Sequence, residues 1–528
     1  MSCWYQNAVV YQIYPYSFCG APRYKEENTI LDRLSKVSLW IPHLKKMGVT
    51  ALYLNSIFES MEYGYDISDF KIVDKRLGDN KIFKNLCDEL HKNDMKIIID
   101  AIFNYVGRDF WAFKDVQKNG VSSKYCGWFQ NLNFGKKSPY GDEFCYEGID
   151  GRFNLVKLNL RNPNLINYLF EIMGFWINEF DIDGIKFDSA EFMDFDFFKR
   201  ARKHCKKIKP DFWLVGDISQ GDYKRWVNSE MLDSATNYEL CNAIYNTFNE
   251  ENFHILNHLV NKQYGNLGLY KGMNLFNFAD NHVLNRIMSS IKNENHVLNI
   301  YTILYTIVGV PSIYYGSEFG LKGEKINNFY EELRPCLELE ELDFKKNEIY
   351  NHLKKLGKIY KEYVSLRKGS YQTVLVEKNY WIYKKEYENQ VSYIFLNLTD
   401  VEVEIKADIE NLNYYDVFGN SSSIFANEKI ELKIPALSSV IMVSERDNDF
   451  ILKNKKSLIK EDDEIIIGGK YKHYKGGEYE VVGIAKHTET LEELVIYRSL
   501  DGTNNIWARP KSIFMDYVEE IKRFDLLK

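Results

Sequence analysis

Residues 162–191 read NPNLINYLFEIMGFWINEFDIDGIKFDSAE, and two patterns follow each other within them. From Asn162 to Phe180 apolar residues recur at three- and four-residue spacing, which marks a helix with one buried face. From Asp181 a short apolar run rich in β-branched and aromatic residues takes over, and it closes on the polar sequence Asp188-Ser189-Ala190-Glu191. A helix that feeds a short, nearly continuous apolar strand is the unit of a parallel sheet covered by helices.

The same unit recurs in both directions from this stretch. Upstream stand VVYQIYPYSF (9–18), VTALYLNSIF (49–58) and KIIIDAIFNYV (96–106); downstream stand DFWLVGDIS (211–219), DSATNYEL (233–240), MNLFNFADNH (273–282) and VPSIYYGSE (310–318). Eight such strands, separated by amphipathic stretches, predict an α/β fold: a closed (β/α)8 TIM barrel over residues 1–371. Most strands end in polar or acidic residues, where such barrels put their chemistry. Residues 108–160, after the third strand, lack clear periodicity and are dense in Gly, Tyr and Trp, so a loop subdomain is expected there. From 372 to 445 residues alternate as in an antiparallel β-sandwich; 446–463 is charged and reads as a linker; 464–528 reads as a small β-rich module.

A chain of 528 residues is too long for one core, and its net charge of −7 argues against a nucleic-acid partner. No basic leader opens the sequence, and no apolar run reaches the length of a membrane span, so a cytoplasmic location without a membrane partner is expected. The eight cysteines form no CxxC pair, so reduced thiols are expected, with a Cys126–Cys145 pair left open. Aromatic residues make up 15% of the chain, and Trp128, Phe129 and Trp226 are placed to stack on sugars or to pack in cores. The basic runs 200–209 and 351–363 read as solvated helix faces. The glycines of GGKYKHYKGGEY (468–479) read as turn residues, because no strand–loop–helix context for phosphate surrounds them.

YQIYPYSF (11–18), Gly64-Tyr65-Asp66, DAIFNYVG (100–107), GIKFDSAE (184–191), VGD (215–217) and DNHVLNR (280–286) occur in the order of the conserved regions of the α-amylase family, glycoside hydrolase family thirteen. The resemblance runs from residue 8 to about 445. It implies a retaining α-glucan site, in which a carboxylate nucleophile and a carboxylic acid lie about 5–5.5 Å apart. The nucleophile position falls on Asp188, and the general acid position, normally Glu, falls on Asp217. Tyr65, Asp66, Tyr105, Lys186, His282 and Arg286 fall on substrate-binding or supporting positions, and the implied partner is an α-linked oligosaccharide. Asn104 matches a position from which many relatives hold calcium, but no full ligand set can be assembled, so no cofactor is expected and calcium stays open.

The resemblance breaks at several of these positions. Asp217 is one methylene shorter than Glu, a retreat of about 1.5 Å, and a displacement near 1 Å can cost about 10²-fold in rate. The family's third acid falls on Val283, and loss of one electrostatic group at such a centre costs about 10²–10³-fold. Tyr63 and Tyr105 stand where the family has histidines, and Lys186 stands for an arginine, without its two-pronged grip. Hydrolysis is therefore expected to be weak or absent. The alternative is a catalytically inactive pseudoenzyme that binds carbohydrate or protein. The last 65 residues resemble a small uncharacterised bacterial domain, through HYKGGEYEV and WARPKSIF, whose protein partner the sequence does not name.

Overall fold

The computed structural model describes residues 3–527 except 25–28, 63, 150, 327–329, 343, 345, 419–422, 426–427, 447–464, 489–492, 504, 516 and 519–520. Tyr63 and nearly all of the 446–463 linker therefore lie outside the described residues. Residues 1–444 form one compact unit and 445–528 another.

Eight short strands build the centre of the first unit: Val10–Ile13, Ala51–Leu54, Lys96–Ala101, Gly184–Phe187, Trp213–Gly216, Ser234–Ala235, Phe276–Asn277 and Val310–Tyr314. Each lies inside one of the eight runs read from the sequence. They are ordered sixth, fifth, fourth, third, second, first, eighth, seventh. All pairings are parallel, with Val10 opposite both Ala51 and Ser312. A parallel bridge between Thr236 and Phe276 brings the two ends of the sheet together, as a barrel requires.

The helices start where the sequence supplies oxygen caps. Asp79 accepts from the Ile82 amide, and Asn162 accepts from Asn164 and Leu165 with Pro163 at the first helical position. The basic run at 200–209 lies on the helix Phe195–Ile208. That helix buries Phe197, Phe198, Ala201 and Cys205 and turns Arg202 and Lys206 to Asp233.

Side chains alternate along a strand, and this alternation layers the barrel interior. Val10, Ala51, Tyr53, Ile98, Trp213, Val215 and Phe276 form an apolar lower cluster. Two residues further along the same faces come Gln12, Asn55, Asp100 and Asp217, with Lys186 and Asp188 on the fourth strand and its end. The polar layer at the C-terminal ends of the strands is thus a consequence of period two.

The segment after the third strand carries the helix Trp111–Asn119 and a three-stranded sheet of Tyr105–Gly107, Arg152–Lys157 and Gly148–Ile149. Phe113 packs edge-on against Phe129, Phe144 and Tyr146, and Arg108 pairs with Asp142 at 2.7 Å. Beyond the barrel, a six-stranded sheet that begins at Ser370 faces the pair Val403–Asp408 and Lys429–Ile434 across a core including Ile382, Phe395, Ile405, Ile430 and Met442. The second unit is a five-stranded antiparallel sheet around Tyr471, Val481, Val495, Tyr497, Phe514 and Phe524. Gly468 and Gly476 sit at positive φ at its turns, which is the use expected of them.

All eight cysteines are free, so Cys126 and Cys145 are not paired. Among the described residues no helix is long and apolar enough to cross a membrane.

Candidate active site

A cavity of about 480 Å³ opens among the C-terminal strand ends. Asp188, Asp217, Tyr65, Asp66, Tyr105, His282 and Val283 all line it. Residues up to 218 positions apart in sequence are thereby brought to one place.

Asp188 follows the fourth strand, and its amide donates to the Ala101 carbonyl of the third strand at 3.1 Å. The Tyr105 hydroxyl donates to its Oδ2 at 3.2 Å, and the Ser189 hydroxyl at 3.1 Å. Tyr105 thus occupies a site position with a hydroxyl in place of an imidazole. Burial pushes the Asp188 carboxyl up to about 7; Lys186 opposes the shift, while Asp217 and Asp100 add to it.

Asp217 is held by two partners. Lys186 Nζ lies 2.6 Å from its Oδ2, and the Thr236 hydroxyl donates to Oδ1 at 3.1 Å. Lys186 does not line the cavity; it stands behind it, 3.9 Å from Asp100 and over the Tyr53 ring. Burial alone would lower its pKa, but Asp217, Asp100 and Asp188 outweigh that and raise it. An ammonium held this closely keeps Asp217 in an ion pair, a poor starting point for a proton donor.

Val283 lines the cavity with an apolar side chain, as its place at the family's third acid position implied. Its amide and that of Leu284 bond to the Asn281 side chain at 2.9 and 3.0 Å, so Asn281 shapes the turn. His282 is buried, with burial, Arg334 and Lys186 pushing its pKa well below the ordinary value. Its Nε2 lies 2.6 Å from the Tyr65 hydroxyl.

Asp66 accepts from the Glu62 amide at 3.1 and 3.2 Å, and burial lifts its carboxyl to about 6. A Cβ at Gly107 would sit 2.4 Å from the Asp66 carbonyl oxygen, so only glycine admits this approach.

Arg286 is not among the residues that line the cavity. It is fully buried, donates to the carbonyls of Tyr315 at 2.6 Å and Leu333 at 2.7 Å, and lies over the Tyr314 ring. It therefore ties the rim segments together from beneath. Trp128, Phe129 and Trp226 are buried and line no part of the cavity. Trp128 packs on Trp111 and Tyr168, Phe129 on Phe113, and Trp226 on Phe195.

Asn104 is buried, and among the described residues no group of three His, Cys, Asp or Glu side chains is placed to hold an ion.

Several lining or supporting residues were not read from the sequence. Arg334 is nine-tenths buried, stacked between Tyr14 and Tyr330, and donates to the His282 carbonyl at 2.9 Å. It stands in a stretch without strand or helix periodicity, so no pattern singles it out. Gln12, Tyr53, Asn55 and Asp100 form a buried polar network beneath the cavity. The signal for Gln12 and Asn55 was present, as lone amides inside the apolar runs VVYQIYP and ALYLNSIF.

The profile of the α-amylase catalytic domain matches residues 12–367, more than half of the chain. The chain belongs to the α-amylase family. A cyclomaltodextrinase of Thermoanaerobacter pseudethanolicus is 29% identical to this family member over 462 residues, covering 81% of this chain and 78% of that one. An intracellular maltogenic amylase of Bacillus subtilis is 30% identical over 339 residues, 61% of this chain and 57% of that one. The structure of a cyclic α-maltosyl-(1→6)-maltose hydrolase from Arthrobacter globiformis shares the fold, with a TM-score of 0.70 at 21% identity, over 84% of this chain and 100% of that one. Residues 469–526 match a family described as a protein of unknown function (DUF1653).

Proposed function

We propose that this α-amylase-family protein takes α-linked maltooligosaccharides into the barrel cavity and hydrolyses them weakly or not at all. Asp188 is the nucleophile position and Asp217 a shortened general acid, as in a retaining site. Tyr65 forms the sugar platform, with Tyr105 holding Asp188 and Lys186 holding Asp217. Relatives named for cyclomaltodextrin cleavage and maltogenic amylase activity support the substrate class. The relative named as intracellular supports a cytoplasmic location.

The observation that carries the reduced activity is the 2.6 Å contact between Lys186 and Asp217. A general acid must hold a proton until the leaving oxygen takes it. Here the carboxyl group in that position is paired with an ammonium, while burial raises the pKa of Asp188, which has to be ionised to attack. Val283 adds no charge to stabilise the oxocarbenium-like state.

Overnight incubation of the full chain with maltoheptaose, followed by product analysis and set against Asp188→Ala, tests the reading. Products in the parent protein that vanish in the variant establish a slow glycosidase. Identical traces from both establish the inactive binder of carbohydrate or protein, and binding of maltoheptaose by calorimetry then decides between those two ligands.

A further inference from the structure

The polar layer under the cavity is wired in one direction. Asp100 accepts from the Tyr53 hydroxyl on Oδ1 and from Asn55 Nδ2 on Oδ2 at 2.8 Å. A carboxylate only accepts, so Asn55 has to turn its amide nitrogen toward it. The second N–H of Asn55 goes to the Tyr53 oxygen at 3.0 Å, and its Oδ1 accepts from Gln12 Nε2 at 2.8 Å. That bond fixes the Gln12 amide in turn.

The remaining N–H of Gln12 meets His282 Nδ1 at 2.9 Å. That ring nitrogen has to accept, and in a neutral imidazole the other nitrogen then carries the hydrogen. Nε2–H donates to the Tyr65 oxygen at 2.6 Å. The 3.4 Å approach of Asn55 Nδ2 to the same Nε2 sets two donors side by side and is not a bond. Having accepted from His282, the Tyr65 hydroxyl keeps its own hydrogen for the cavity, which Tyr65 lines.

We propose that Gln12 is a positioning residue that acts through the His282 ring to make the Tyr65 hydroxyl a donor to an acceptor oxygen of the bound glucan. This rests on the α-glucan reading of the cavity only for the identity of the ligand. The direction of the relay belongs to the free protein. With Gln12 reversed or lost, the imidazole is free to move its hydrogen to Nδ1. Tyr65 then has to donate to Nε2, and it has no hydrogen left for the ligand. A buried polar site that faces its ligand with the wrong polarity loses affinity, because a lone pair meets a lone pair.

The test is ¹⁵N NMR of the histidine rings in the full-length protein without ligand, with His282 assigned by its absence in His282→Asn. The parent protein is expected to show the Nε2–H tautomer. Gln12→Glu, whose carboxylate accepts where the amide donated, is expected to place a hydrogen on Nδ1 and to weaken maltotriose binding at least tenfold by calorimetry. Gln12→Met, which removes the donor without reversing it, is expected to lose less and serves if the glutamate variant does not fold. An Nδ1–H ring in the parent protein overturns the proposal, and so does an unchanged ring and affinity in both variants. A parent protein with the Nε2–H ring that binds no maltotriose refutes the ligand class and leaves the relay standing.

Discussion

Two lysines of this chain are buried to the same degree and sit in opposite electrical circumstances. Lys186, in the barrel, has Asp217 at 2.6 Å and Asp100 at 3.9 Å. Lys385, on the strand Tyr380–Tyr387 of the sandwich, is fully buried, and its Nζ has no hydrogen-bond partner among the described residues. Burial pushes Lys385 down to about 7, whereas the carboxylates around Lys186 raise it against the same burial. Burial alone therefore does not decide the charge of an interior lysine; the partner does. A lysine that is kept charged can organise carboxylates for chemistry, and one that gives up its proton is a hydrocarbon arm with an amine at its tip.

The comparison breaks most sharply if Lys186 is removed. Lys186→Met leaves Asp217 and the fully buried Asp100 without their cation, and breaking a buried pair from one side costs about 3–5 kcal/mol. Urea unfolding of the full chain, followed on the barrel transition, is expected to show a loss of that order. A loss under about 1 kcal/mol means that the two carboxyls simply take up protons and the ammonium does not organise the site.

Changing the anions instead of the cation tests the chemistry. Asp217→Glu restores the longer arm and Val283→Asp restores a third carboxylate. Together they are expected to raise maltoheptaose hydrolysis by at least about 10²-fold, the scale of one electrostatic group at such a centre. A folded double variant that releases no products shows that the cavity is remodelled beyond these two positions.

How far the site was legible follows from the same alternation that builds it. Apolar strands with acidic ends gave the barrel, and the motifs at those ends placed Asp188, Asp217, Tyr65 and His282 around one cavity. What the motifs could not convey is which polar side chain points at which. Lys186 counts as a charge in sequence, and only the three-dimensional register of the fourth and fifth strands, with Lys186 opposite Val215, brings it to Asp217. Arg286 fell in a motif as a substrate-binding or supporting position, and the motif could not show that its guanidinium donates to the backbone carbonyls of Tyr315 and Leu333. Arg334 had no pattern at all, since its place depends on a rim segment folded between Tyr14 and Tyr330. Lys385 stands beside a second lysine in YWIYKKE, and in a strand covered on both faces alternation does not separate inside from outside.

Lys385 predicts a pH effect with a definite sign. Its pKa in the folded chain is about 7, against about 10.4 when unfolded. Between those values the unfolded chain holds a proton that the folded chain lacks, so stability rises with pH across that window and is lost as pH falls toward 7. The contribution of one group is at most about 1.4 kcal/mol per pH unit. Lys385→Met is expected to be more stable than the parent at pH 7, and the gap is expected to close by about pH 10. Urea unfolding at pH 7, 8.5 and 10 measures it, and parallel curves for the two proteins would show that Lys385 reaches a partner or water in solution.

The smallest effect is expected at a third lysine, and it isolates what distance contributes. Lys406 Nζ lies 2.6 Å from Glu431, the same separation as Lys186 from Asp217. The pair bridges the strands Val403–Asp408 and Lys429–Ile434 with both side chains more than half exposed. Water already solvates both charges there, salt screens them, and the long side chains lose freedom in meeting, so exposed pairs are often worth nothing measurable. Lys406→Met is expected to leave the urea midpoint within experimental error, at low and at high salt alike. A clear, salt-sensitive drop would mean that geometry by itself can stabilise a surface pair in this sheet, and the contrast between Lys186 and Lys385 would then have to be credited to contact distance as much as to burial.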